Sequence, residues 1–180
     1  NDLSGASGGS GIAVQSSRAI IHGNNIGPIG GWNGLWLIGS FDVDAQNNTI
    51  SDIAREPVIA GDYWAGDNPD VRRLYFANNQ VSTPGTGSCQ SNTHWGGEFT
   101  CPVVMVHRAG ATLVDNVFTA GGTADGIRAT GALLNVQRNT WNLNAAGAVI
   151  QNFDTGAAGA QQYGSLAFFT DNQWNGVPTM

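Results

Sequence analysis

Six residues with reactive side chains fall at matched places in this chain: Arg18, His22, Asp42, Asp44, Arg73 and Tyr75. Each precedes a recurring asparagine (Asn24, Asn48 or Asn79) by two, four or six positions. Residues two apart in an extended strand share a face. The six are therefore expected to converge on one sheet surface, with Arg18, Asp42 and Arg73 in one row. Ile20, Asp44 and Tyr75 form the next row, with His22 and Gln46 beside it. Two carboxylates roughly 5–10 Å apart suit glycoside hydrolysis, and Asp42 and Asp44, on one strand, come nearest to that. The simpler account of Arg18–Asp42–Arg73 is a charge ladder stabilising adjacent strands, since exposed ion pairs are common and contribute little.

Two further stretches carry candidate chemistry. Asp62, Asp67 and Asp70, with Asn68 among them, could offer oxygen ligands to a calcium ion. The spacing is not that of an EF-hand, and Asn-Pro and Gly in the same stretch fit a solvated turn at least as well. Calcium is the one cofactor the sequence suggests. Tyr63 and Trp64 in this loop, and Trp95 in the next, are candidate platforms for a sugar ring, or else fold back on the scaffold. The long insertion from Ser82 to Cys101 contains His94 and Glu98, a candidate acid–base pair that His107 and Arg108 could join. The alternative is a cap on the flank of the fold with Trp95 and Phe99 beneath it.

The elements that must position these residues are set by one phrase, Asn-x-apolar. It occurs at Asn24–Ile26, Asn48–Ile50, Asn79–Val81, Asn116–Phe118, Asn139–Trp141 and Asn172–Trp174, with anchors 24, 31, 37, 23 and 33 residues apart. Self-similarity at such a period marks a solenoid. Residues three and five before each anchor are apolar in every copy, and those two and four before it are mixed, the pattern of a strand with one buried face. No helical periodicity competes with it. Stacked asparagines can hydrogen-bond to one another along the axis. The third position runs Ile26, Ile50, Val81, Phe118, Trp141, Trp174, so the core is expected to change shape toward the C-terminus.

On the coil length and on Asn48-Thr49-Ile50, Asn79-Gln80-Val81 and Asn139-Thr140-Trp141, residues 11–176 resemble the right-handed parallel β-helix repeat proteins. That superfold includes pectate lyases, other polysaccharide lyases, phage tailspikes and many surface proteins. The resemblance implies an all-β solenoid of about six coils with an internal asparagine ladder. It does not by itself specify a function. Where such lyases are active, a cation or arginine neutralises a uronate carboxylate and a basic group takes a proton. Without lysine, only an arginine, His22 or Tyr75 could be that base here. Arg55-Glu56-Pro57 is similar to the Arg-x-Pro element of pectate lyases, but Val58, Ile59 and Ala60 follow where a later arginine would stand, so no role is carried over. The paired calcium-binding aspartates of those enzymes have no close match either. A β-sandwich would give antiparallel hairpins without a recurrent anchor.

Charged residues are only 11% of the 180, with net charge −6 and all seven basic residues arginine. No basic stripe exists to bind nucleic acid or an anionic membrane surface, and no apolar run is long enough to insert as a transmembrane helix. Low charge and many Asn, Gly and Thr favour an extracellular or cell-surface location. There, Cys89 and Cys101 would pair and close their loop, worth about 3 kcal/mol. No signal peptide pattern is present, so a mature or excised chain is expected. Residues 1–10 read as a Gly/Ser-rich lead-in and 11–180 as one β-helix domain. Neither end carries a capping helix, which fits part of a larger protein, a homo-oligomer or another assembly. Two functional readings stand. One is a structural or polysaccharide-contacting module; the other is a polysaccharide-degrading lyase or glycoside hydrolase. Ice binding is disfavoured by the missing Thr-x-Thr array.

Overall fold

A computed structural model of the chain describes residues 1–15, 17–39, 42–61, 73–90, 98–151 and 164–176, with the side chains of 88–90, 98, 99 and 151 left out. The Asn-x-apolar phrase folds as a turn and then a strand. The residue before each anchor has a left-handed backbone: Gly23 (φ 64°), Asn47 (55°), Asn78 (56°), Asp115 (56°), Arg138 (51°) and Asp171 (55°). Only glycine, and to a lesser degree Asn and Asp, takes this conformation cheaply. Arg138 is the exception, and its guanidinium is held by Asp115 at the same corner one coil earlier, through Nε–Oδ1 and Nη2–Oδ2 contacts of 2.8 Å each.

Strands that recur in each coil stack in parallel into three sheets. The leading sheet contains Ile12–Gln15, Leu35–Ile38, Val58–Gly61, Val104–His107, Ile127–Thr130 and Ala148–Gln151. The middle sheet contains Ala19–His22, Asp42–Gln46, Arg73–Ala77, Gly110–Val114, Leu133–Gln137 and Leu166–Thr170. The anchor sheet has seven strands, from Asp2–Leu3 to Gln173–Asn175. The chain is thus an all-β parallel β-helix of six coils, each one strand of every sheet, without a helix among the described residues. Among the described residues the one antiparallel strand pair, Ser88–Gln90 with Glu98–Thr100, lies in the long insertion. Cys101 just after it is buried; the expected pairing with Cys89 falls on a side chain outside the described residues.

The asparagine ladder runs the length of the solenoid. Asn48 donates from its backbone N–H (2.8 Å) and from Nδ2 (2.9 Å) to Oδ1 of Asn79. Asn79 does the same to Asn116, Asn116 to Asn139, and Asn139 to Asn172. Each Nδ2 also reaches a carbonyl of the preceding coil, as from Asn116 to Phe76 (2.9 Å). Asn1 joins by donating to Oδ1 of Asn24, and Asp2–Leu3 pairs with Asn25–Ile26. The stretch read as a lead-in therefore contains a seventh phrase, Asn1-Asp2-Leu3.

Inside, the phrase's aromatic third positions stack on one another toward the C-terminus. Phe118 lies on Trp141 with ring centroids 3.9 Å apart, and Trp141 on Trp174 at 5.0 Å. Gly126 makes room for this: a Cβ there would sit 2.5 Å from the Gly147 carbonyl and 3.0 Å from the Trp141 ring. The strand alternation holds with two differences. Ala77 and Val114 face outward yet are buried, lying in one row between the long side chains of Gln46 and Gln137. Phe169, on the inward set, is 40% exposed because its strand lies at the edge of the middle sheet.

Asn116→Ala leaves the buried Asn79 N–H without its acceptor and is expected to cost about 2–3 kcal/mol in urea unfolding. Asn172→Ala, at the half-buried end of the ladder, is expected to cost less, because water can replace the lost amide.

Candidate functional site

The outer face of the middle sheet collects Arg18, His22, Asp42, Asp44, Arg73 and Tyr75. Strand register puts Asp42 opposite Arg73 and Asp44 opposite Tyr75 on one side and Ile20 on the other. His22 lies opposite Gln46. Asp42 takes contacts from both arginines, 3.5 Å to Arg18 Nε and 3.3 Å to Arg73 Nε. Those arginine side chains are 80% and 71% exposed, so each pair contributes at most about 1 kcal/mol. One step along the strand, Asp44 Oδ1 accepts from Gln46 Nε2 at 2.7 Å and lies 3.2 Å from His22 Nε2. Arg18, Asp42, Asp44, Arg73 and Tyr75 line an open groove of about 840 Å³. A second depression of about 580 Å³ continues it past Arg73 and Thr112 to Asn135, Gln137 and Phe168.

Partial burial would raise the Asp44 pKa, but the hydrogen bonds from Gln46 and His22, with the nearby Arg73 charge, outweigh it and leave the carboxyl below its ordinary value of 3.8. Asp44 is thus held ionised and is a poor proton donor. The carboxyl pushed the other way is Glu56, raised by burial against the opposing pull of Arg55 and Asn33. Its side chain is wholly buried, with Asn33 Nδ2 donating to Oε2 at 2.9 Å, so no polymer can reach it. The groove therefore offers charge, hydrogen bonds and an aromatic ring, and Asp44 within it is poorly suited to protonate a leaving group.

Of the other candidates, His107 and Arg108 are not brought to this face. His107, on the leading sheet opposite Gly61 and Thr130, is buried, and Arg108 forms the turn after it. Glu98 begins a strand opposite Gln90, its side chain outside the described residues. His94, Tyr63, Trp64, Trp95, Asp62, Asp67 and Asp70 lie outside the described residues. Among the described residues, no group of three or more His, Cys, Asp or Glu is placed to hold a metal ion.

The far half of the face continues the row with side chains that do not titrate. Thr112, Asn135 and Phe168 continue the Ile20–Asp44–Tyr75 row coil by coil. The signal was present, since all three stand four residues before an anchor, but none of them titrates. Comparison of the chain with protein-family models, curated proteins and solved structures finds no match in any of the three.

The lowered pKa has a sign that can be checked. A carboxyl stabilised as the anion in the fold contributes stability above its ordinary value, and this is lost as pH falls through the folded value. Asp44→Asn is therefore expected to lower stability at neutral pH, with the difference from the parent protein shrinking as pH falls below the ordinary carboxyl value and through the folded one. Denaturant melts across that range measure it, and a constant difference between the two proteins would show that Asp44 owes its role to shape alone.

Proposed function

We propose that this protein is an extracellular or cell-surface β-helix module with a structural role that contacts polysaccharide along the outer face of its middle sheet. The observation that carries the reading is the groove itself. Arginine, aspartate and tyrosine side chains line it, and they project from strands whose register is fixed by the ladder rather than from loops. A rigid, hydrated surface with an exposed aromatic suits the alternating apolar faces and hydroxyl edges of sugars. The competing reading, a lyase or glycoside hydrolase on the same face, is weakened by the state of Asp44, which is ionised and already engaged by Gln46 and His22. An extracellular setting would also be accompanied by a Cys89–Cys101 disulfide.

The protein is expected to be retained on affinity gels containing its polysaccharide, to lose retention on Tyr75→Ala, and to release neither reducing ends nor unsaturated products from that polymer. Product release abolished by His22→Ala or Asp44→Asn would replace the module reading with the enzyme. Retention unchanged in Tyr75→Ala would move the contact off this face. Alkylation before and after reduction checks the disulfide: labelling of both cysteines without reductant would remove that support for an oxidising location.

A further inference from the structure

We infer that the ligand of this face is an uncharged, extended polysaccharide lying along the solenoid axis, across the strands, with two of its sugar rings seated on Tyr75 and Phe168. The inference rests on the polysaccharide-contacting reading above and adds ligand class, direction and length.

Charge decides the class. Within the groove two arginines, Arg18 and Arg73, face two aspartates, Asp42 and Asp44. Asp42 is shared between both arginines, and Asp44 is occupied by Gln46 and His22. Among the described residues, the floor beyond Arg73 carries no charge: Thr112, Asn135, Gln137 and Thr170 alternate with Leu133 and Phe168. An acidic polymer would meet no net positive field here, on a chain whose total charge is −6, and repulsion would oppose its approach. A neutral polymer pays no such penalty and finds hydroxyl partners. Gln137 Nε2 donates to Oδ1 of Asn135 at 2.7 Å. That bond fixes which way the Asn135 amide points and turns its Nδ2 donors toward a ligand.

Direction and length follow from register. Tyr75, Thr112, Asn135 and Phe168 are consecutive members of one outward row, each opposite the next. Tyr75 is 38% exposed and Phe168 54% exposed. Three sheet spacings separate the two rings, about 14 Å, a span of roughly three sugar units. Two polar positions lie between two aromatic ones, so a chain along the row can stack at both ends and hydrogen-bond in the middle. A chain running along the strands would meet one of the rings and leave the other unused.

The test uses the intact chain with neutral and uronate-containing polysaccharides, followed by an oligosaccharide series of whichever polymer binds, measured by calorimetry at low and high salt. The expected result is binding of a neutral polymer, little changed by salt, that strengthens sharply between two and four sugar units. Tyr75→Ala and Phe168→Ala are each expected to weaken the longer oligomer about tenfold, and Tyr75→Phe to retain most of the affinity. Both rings are partly exposed, and thermal melts confirm that the variants fold. Preference for the uronate polymers with affinity falling in salt, or equal binding of a disaccharide, or indifference to Phe168→Ala, would overturn this inference while leaving polysaccharide contact in place. Failure to bind any polysaccharide would instead remove the reading on which it rests.

Discussion

Each coil of this protein is fastened to the next through a buried carboxamide. A buried amide must satisfy two donors and an acceptor, or the fold bears the desolvation cost. The ladder does so by using the same group as donor to the following coil and acceptor from the preceding one. Aspartate in that place would stack buried charges, and glutamine would carry the amide too far from the turn. Because the ladder also accepts the backbone N–H of Asn24, Asn48, Asn79, Asn116 and Asn139, it fixes the start of the anchor-sheet strands that follow them. With those starts fixed, period-two alternation decides which residues face the core and which face solvent. The groove on the middle sheet is a consequence of that register.

Stacking in parallel imposes a rule on the surface as well. A residue and its counterpart in the next coil are about 4.8 Å apart, so repeated like charges would repel along the whole axis. The sequence of Arg18, Asp42 and Arg73 in one row obeys this rule, as does Asp115 beneath Arg138 at the corner. The same pressure gives a physical reason for a charged content of only 11%. Paired charges on such a face are therefore read first as the chemistry of stacking and then as recognition. Their neutralisation leaves the neighbouring Tyr75 and the uncharged Thr112 and Asn135 as the groups that differ from a simple ladder.

Much of this could be read from the chain because an anchor plus alternation is almost a coordinate system. Ile21, Val43, Phe76 and Leu134 are where counting back from their asparagines puts them, and so are Arg18, Asp42 and Tyr75. Asn1-Asp2-Leu3 escaped because the Gly and Ser after it resemble a linker, although the phrase is intact. The burial of Ala77 and Val114 depends on what flanks them in adjacent coils, which are 23 to 37 residues away in sequence. The state of Asp44 was not legible either. It depends on the direction in which the Gln46 amide and the His22 ring turn, and alternation fixes only the face from which they start.

The corner between the middle and anchor sheets has a further implication for how such a chain can vary. It is always two residues, a left-handed one and the ladder asparagine, in all six coils. The other two corners range widely, from two residues after His107 to fourteen after Gln151 and twenty after Thr83. All variation in repeat length is therefore absorbed where no amide counts the turns. The short corner acts as an index mark that restores phase once per revolution. Descendants of this sequence could gain or shed whole surface loops at the long corners while the rows beneath stayed aligned. A single residue added at the short one would displace the ladder asparagine of that coil and break the chain of amides there.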